Sequence, residues 1–350
     1  MHRVCALSLA LALAPTLAAA QDDQPDFVPG KDVADAVAKK DGEKAAAAEK
    51  EGAQPDGWQL ALSLGLNSSF GHSSDVVGQP DGGTLQFGLV IDGSADYRKG
   101  QHDWQNALTI THQQTKTPAI DPFVKTGDEF NLRSIYLYEL ADIRWLGPFA
   151  RARFQTALLP GYLVRGEDAR VRLIDVDGNA TSIGIAAQEN YPLTSAFEPF
   201  VMRQSAGAFA RPYDMKTLKL LITAGLGAQE VITQGGRAVT DDDTTPAIEV
   251  TELSDSQQLG AEVEVDVSGA YEERLTWGAN ANVLFPFLTN ADTDLEGLEL
   301  TNVELGLRMG YKLAKWASLD YVLSAKRLPL IVDVWQVQNN LLLSAAFNLL

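Results

Sequence analysis

From residue 58 onward the sequence repeats with a period of two, and this constrains the fold more than anything else in it. Trp58, Leu60, Leu62, Leu64 and Leu66 alternate with Gln59, Ala61, Ser63, Gly65 and Asn67. Successive side chains of a strand point to opposite faces, so one face is bulky and apolar and the other small and polar. The pattern returns at Leu85, Phe87, Leu89 and Ile91, at Val303, Leu305, Leu307, Met309 and Tyr311, and at Trp335, Val337, Leu341, Leu343, Ala345, Phe347 and Leu349. The alternation predicts about twelve strands. They lie near 58–70, 84–97, 102–115, 128–140, 149–159, 197–210, 216–232, 257–271, 274–288, 300–313, 316–326 and 335–349. Many exceed the usual length of a soluble strand and suit a tilted strand crossing a bilayer.

The connections carry an independent signal. Long linkers at 71–83, 116–127, 160–196, 233–256 and 288–299 alternate with short ones at 98–101, 141–148, 211–215, 272–273 and 314–315. Short turns on one side and long loops on the other are the habit of outer-membrane barrels, and an even strand number returns both ends of the chain to one side. The polar face decides between a membrane barrel and a soluble one. A dry core could not hold Arg151 and Arg153, or Glu262, Glu264 and Asp266, on one face without a large desolvation cost. A wet lumen can. Trp58, Tyr97, Trp104, Trp145, Tyr271, Trp277, Tyr311, Trp316 and Trp335 lie near strand ends, where interfacial girdles are expected. The expected fold is therefore all-β, an antiparallel transmembrane barrel of about twelve strands.

The rest of the chain divides simply. Residues 1–20 read as a secretory signal peptide: Arg3, an apolar run from Val4 to Leu13, and Ala18, Ala19 and Ala20 before Gln21. The single Cys, Cys5, lies within it. Residues 21–57 are rich in Ala, Asp, Glu and Lys and read as a periplasmic tail, disordered or briefly helical. Residues 58–350 are the barrel. The expected location is the outer membrane, with its lipids and the barrel-assembly machinery as partners. A formal charge of −18 argues against nucleic acid, which needs a net basic surface.

The barrel resembles an uncharacterised family of bacterial outer-membrane β-barrel proteins described only as a domain of unknown function. The resemblance rests on the opening Trp58 strand and on three stretches. These are 104–108 (Trp-Gln-Asn-Ala-Leu), 124–132 (Val-Lys-Thr-Gly-Asp-Glu-Phe-Asn-Leu) and 333–341 (Asp-Val-Trp-Gln-Val-Gln-Asn-Asn-Leu). It implies the fold and supplies no catalytic residue, cofactor or substrate. One departure is the C-terminus, Phe347-Asn348-Leu349-Leu350, whose aromatic residue stands three places before the end.

The residues offer little chemistry. After the signal peptide there are three His: His72, His102 and His112. A zinc site needs three or four convergent ligands, so no metal and no cofactor is expected. Acyl hydrolysis needs a Ser within reach of a His base. Gln113 and Gln114 follow His112, with Gln114 where the Ser would stand, so no enzyme is expected. Asp177-Gly178 predicts a hairpin within the longest loop, compatible with standing above the barrel or folding into it. Loop acids Asp241, Asp242, Asp243, Asp292 and Asp294 read as a solvated rim, because no complete Ca²⁺ loop pattern is present. Arg98, Lys99, Arg211, Lys216, Lys312 and Lys315 gather near the short turns, where lipid phosphates lie.

Lumen parity gives the sharpest map. It places Arg133, Arg151, Arg153 and Arg203 on strands four to six, and Glu262, Glu264, Asp266, Glu304 and Arg308 on strands eight and ten. On opposite walls these charges either set a transverse field across a pore or pair and shut it, since a lumen of this strand number is narrow. The expectation is a passive channel or binder for small polar solutes with these residues setting selectivity. The alternative is a closed barrel acting through its outer loops.

Overall fold

The structure, a computed structural model, describes residues 56–73, 82–240, 245–272, 274–291, 293–314 and 317–348. The signal peptide, nearly all of the tail, Asp241–Asp243, Asp292, Lys315 and Trp316 lie outside them. So do the side chains of residues 338–348.

Twelve strands close into one antiparallel barrel. In chain order they are β1 (Gly57–Ser73), β2 (Gly82–Lys99), β3 (His102–Thr117), β4 (Ile120–Tyr138), β5 (Leu146–Thr156), β10 (Phe200–Met215), β11 (Leu218–Ile232), β14 (Ser256–Tyr271), β15 (Leu275–Thr289), β16 (Asn302–Ala314), β17 (Ala317–Leu328) and β18 (Val332–Asn348). Each pairs with its neighbour, and β1 meets β18 from Ser63 opposite Asn348 to Asn67 opposite Ser344. Closure removes the open sheet edge whose unpaired backbone groups lipid could not satisfy. Each segment anticipated from the alternation is one of these strands.

One expected long loop is absent, and the last connection, expected at medium length over 327–334, is shorter. Residues 116–127 are mostly strand, because β3 and β4 run out to a turn at Pro118 and Ala119. Loop-forming residues such as Pro122 and Gly127 are absorbed by register shifts at Gln113/Gln114 and Thr115/Thr117. The extension is held by Thr115 Oγ1 against Thr126 Oγ1 at 2.9 Å and by Phe87 against Phe123 at 5.9 Å between ring centres. The last connection shrinks to residues 329–331.

Two of the long loops, 160–196 and 233–256, fold together. The first holds β6 (Gly161–Leu163), β7 (Ala169–Ile174), β8 (Ala180–Ile185) and β9 (Tyr191–Thr194); the second holds β12 (Arg237–Val239) and β13 (Ile248–Glu252). β7 and β8 form the hairpin expected at Asp177-Gly178, and Gly178 takes the left-handed φ of 82° that the turn demands. β13 of the second loop then adds parallel to β7, giving the order β12-β13-β7-β8. Leu163, Val171, Ile185, Tyr191, Leu193, Ile248 and Val250 form a buried core beneath this sheet. Gln188 ties it to the tip of the β3–β4 hairpin, donating to Ala119 O (3.0 Å) and accepting from Asp121 N (3.0 Å). The hairpin thus stands outside the barrel.

The outward face is apolar along its length. Leu60, Leu66, Leu226, Val263, Phe285, Leu305, Met309 and Val337 are all exposed. Trp58, Trp104, Tyr136, Tyr271 and Tyr311 ring the end with the short turns, Trp58 packing on Tyr97 at 5.2 Å and on Trp104 at 5.7 Å. Phe70, Phe87, Phe123 and Phe287 ring the other end. A soluble protein does not expose so continuous an apolar surface. A bilayer accepts it, and aromatic girdles at both interfaces are what lipid selects. Among the described residues no helix is long and apolar enough to cross a membrane; here the strands do the crossing.

Candidate functional site

Inside the barrel the parity of each strand brings polar side chains together. Odd positions of β4, β5, β10 and β11 and even positions of β14, β15 and β16 point inward. β5 delivers Arg151 and Arg153, β4 Arg133 and β10 Arg203. β14 delivers Glu262, Glu264 and Asp266, and β16 delivers Glu304.

These charges meet. Glu264, whose side chain is fully buried, accepts from Arg133 Nη2 (2.6 Å), Arg151 Nη1 (2.6 Å) and Arg153 Nη2 (3.1 Å). Glu262 takes the other arm of Arg151 at 2.6 Å, and Asp266 lies 3.1 Å from Arg133. Glu304 pairs with Arg203 and stands 3.9 Å from Arg153. Neutral groups complete the set. Asn282 Nδ2 on β15 donates to Glu262 (2.6 Å) and Glu264 (2.9 Å). Gln229 on β11 accepts from Arg203 Nε at 2.7 Å. Gly227 leaves room for Glu262, whose Oε2 would lie 2.5 Å from a Cβ at that position.

The two sets of charges do not face each other across the full diameter. In the barrel order β4-β5-β10-β11-β14-β15-β16, β5 and β14 are only three strands apart. The four guanidinium groups and four carboxylates therefore cancel along a chord and fill one half of the lumen. Each partner alone would be costly to bury; together they satisfy one another. Of the residues expected to form this map, only Arg308 stands apart, 3.8 Å from Asp320 of β17.

Toward the short turns an apolar cluster lies directly beneath this layer. Ile135, Leu137, Phe149 and Phe209 are buried on inward positions of β4, β5 and β10, with Leu221 packed against them. The mouth at that end carries a second ion cluster. Arg98 reaches Asp103 at 2.5 Å, Arg211 reaches Asp103 at 2.7 Å and also pairs with Glu139, and Arg144 lies 3.2 Å from Glu139. Arg98 and Arg211 thus turn inward to acids rather than outward to lipid phosphates, because Arg98 occupies an inward position of β2 and Arg211 finds Asp103 and Glu139 beside it. The signal available in the sequence was parity itself, which puts Asp103 and Glu139 on the lumen face.

The opposite half of the lumen is different. At mid-height, inward positions of β1, β2 and β3 carry Ala61, Ser63, Asp92, Ser94, Ala107 and Thr109, all partly exposed, while Asn67, Thr111 and Gln113 nearer the long loops on the same strands are buried. The buried half carries long charged chains; this half carries mostly small ones.

Of the histidines, His102 Nδ1 lies 2.5 Å from the Tyr136 hydroxyl, and His112 Nδ1 lies 3.8 Å from Asp128 with its Nε2 3.1 Å from Gln114.

A family described as a protein of unknown function (DUF3078) matches residues 79–162, from the approach to β2 into β6. The stretches 104–108 and 124–132 fall within that match; Trp58 and 333–341 fall outside it. The translocator domain of the autotransporter NalP from Neisseria meningitidis is similar at 8% identity, covering 89% of this chain and 98% of its own, with a TM-score of 0.36. An outer membrane channel from Pseudomonas putida F1 is similar at 7% identity, with coverages of 85% and 97% and a TM-score of 0.38. OmpT, an outer membrane protein of Vibrio cholerae, is similar at 9% identity, with coverages of 84% and 98% and a TM-score of 0.29. No curated protein matches. Likeness at this level says nothing of what a barrel carries. An even-stranded antiparallel barrel with an apolar outside, girdles at both rims and a polar inside is the form that crosses the bacterial outer membrane. The protein is an outer-membrane β-barrel.

Proposed function

We propose that the barrel is a passive channel of narrow bore for small polar solutes, with one half of its lumen filled by the Arg–Glu network and the other half left as the path. The observation that carries this reading is the contrast between the two walls. Arg151, Arg153, Glu262, Glu264 and Asn282 are buried, while Ser63, Asp92, Ser94 and Thr109, equally inward, are partly exposed. A polar, partly exposed wall beside a packed one describes a restricted conduit, since pore size grows with strand number and with how little of the interior is filled. On this reading the protein performs no chemistry, and the barrel-assembly machinery inserts it into the membrane.

Single-channel recording of the refolded protein tests the proposal. Discrete current steps of small, uniform size are expected. Silence from protein with the gel mobility of a folded barrel would overturn it and favour the second reading, a closed barrel whose outer loops make surface contacts. The observation favouring that second reading is the separate sheet and core built by the two long loops.

A further inference from the structure

We infer that Asp92, with Asp320 and Arg308, forms the charge-selective constriction of the lumen and makes the path favour cations; the inference rests on the channel reading above. Four positive and four negative groups cancel in the packed half, so the charge felt along the path must come from elsewhere. Asp92 is on an inward position of β2, between Ser63 of β1 and Thr109 of β3. Thr109 Oγ1 donates to its Oδ1 at 3.0 Å, which fixes the carboxylate toward the interior. Its charged neighbours are Arg308 of β16 and Asp320 of β17. In the barrel order β16-β17-β18-β1-β2 these strands lie four and three places from β2 across the seam between β1 and β18, so the three groups face one another along a chord of the lumen.

The balance of the three is negative. Arg308 Nη2 stands 3.8 Å from Asp320 Oδ1, a loose pair, while Ser318 Oγ donates to Asp320 Oδ2 at 2.6 Å. One guanidinium therefore serves two carboxylates, and among the described residues Asp92 takes part in no salt bridge. Asp92 is partly exposed, whereas Asp320 is buried. A carboxylate presented to a narrow, low-dielectric passage concentrates cations and repels anions. Gly310 keeps the space next to Asp320 open: a Cβ there would lie 2.8 Å from its Oδ1.

The test is the reversal potential of single channels in asymmetric KCl, for the wild-type protein and for Asp92→Asn, Asp92→Lys and Asp177→Asn. Wild type is expected to favour K⁺ over Cl⁻ by at least about threefold. Asp92→Asn brings the ratio to near unity and Asp92→Lys inverts it. Asp177→Asn removes the same charge from the exposed β7–β8 turn and leaves the ratio unchanged. Anion selectivity of the wild type would overturn the inference without recourse to any variant. So would current steps whose selectivity is the same in Asp92→Asn, which would assign it to the outer acidic rim, or a shift in Asp177→Asn as large as that in Asp92→Asn. Absence of any current would instead remove the channel reading on which the inference rests.

Discussion

Glu264 is where the lumen network is most sensitive. Its carboxylate is the shared acceptor of Arg133, Arg151 and Arg153 and is held in place by Asn282. Glu264→Gln preserves the shape and removes the charge, leaving four guanidinium groups to three carboxylates. Removing one member of a buried ion pair costs about 3–5 kcal/mol, because the partner's charge stays buried without compensation. That is roughly a hundredfold to several-thousandfold in the folding equilibrium, at tenfold per 1.4 kcal/mol. The assay is urea unfolding of the barrel in lipid vesicles, followed by tryptophan fluorescence and by loss of folded gel mobility. A cycle with Arg151→Met completes the measurement: the double variant should recover about 1–3 kcal/mol relative to the sum of the singles. A loss below about 1 kcal/mol in Glu264→Gln, with no coupling to Arg151, would mean that water solvates these groups as it does an exposed pair. The packed-half description would then be wrong.

The loose pair Arg172–Glu249, at 4.0 Å with the Arg side chain 51% exposed and the buried Glu249 also accepting from Thr245 Oγ1 at 2.7 Å, supplies the contrast: Arg172→Ala should cost less than Glu264→Gln in the same unfolding assay. Phe209→Ala empties the centre of the apolar cluster beneath the network and should cost about 3–5 kcal/mol, read as a lower urea midpoint with an unchanged denaturant slope. In the outer loops, side-chain and backbone hydrogen bonds from Asn179 hold Asp175 below its usual carboxylate range, and backbone and side-chain bonds from Thr233 do the same for Asp255. Both folded pKa values lie below the unfolded ones. Their stabilisation is therefore complete above the unfolded value of about 3.9 and is lost as pH falls through the folded values. Proteolysis of the loops by an acid-active protease should accordingly quicken below about pH 4, and Asp255→Asn should already be cut faster near neutrality by a protease active there, with a flatter acid limb.

How much of this was legible in the sequence follows from the range over which each cause acts. The strand count and the inward or outward assignment of Arg133, Arg151, Glu264 and their companions follow from a period of two, which is a property of the local backbone. The apolar face, the rim aromatics and the hairpin at Asp177-Gly178 are local in the same sense. Which Arg meets which acid is not local. It depends on closure between β1 and β18 and on the stagger accumulated from strand to strand, which set β5 and β14 within reach of each other instead of on opposite walls. The outer sheet joins β7 and β13 from loops separated by two barrel strands, and Ile248–Glu252 is too short a segment to announce itself by pattern. Arg98 and Arg211 lie near short turns, where proximity to lipid was a fair expectation, yet folding placed Asp103 and Glu139 beside them. A period of two with these residue types is enough to specify a barrel with a polar inside and an apolar outside. That half of this inside is neutralised and packed emerges on folding, because cancellation of charge depends on distances between strands that the chain brings together only on closing.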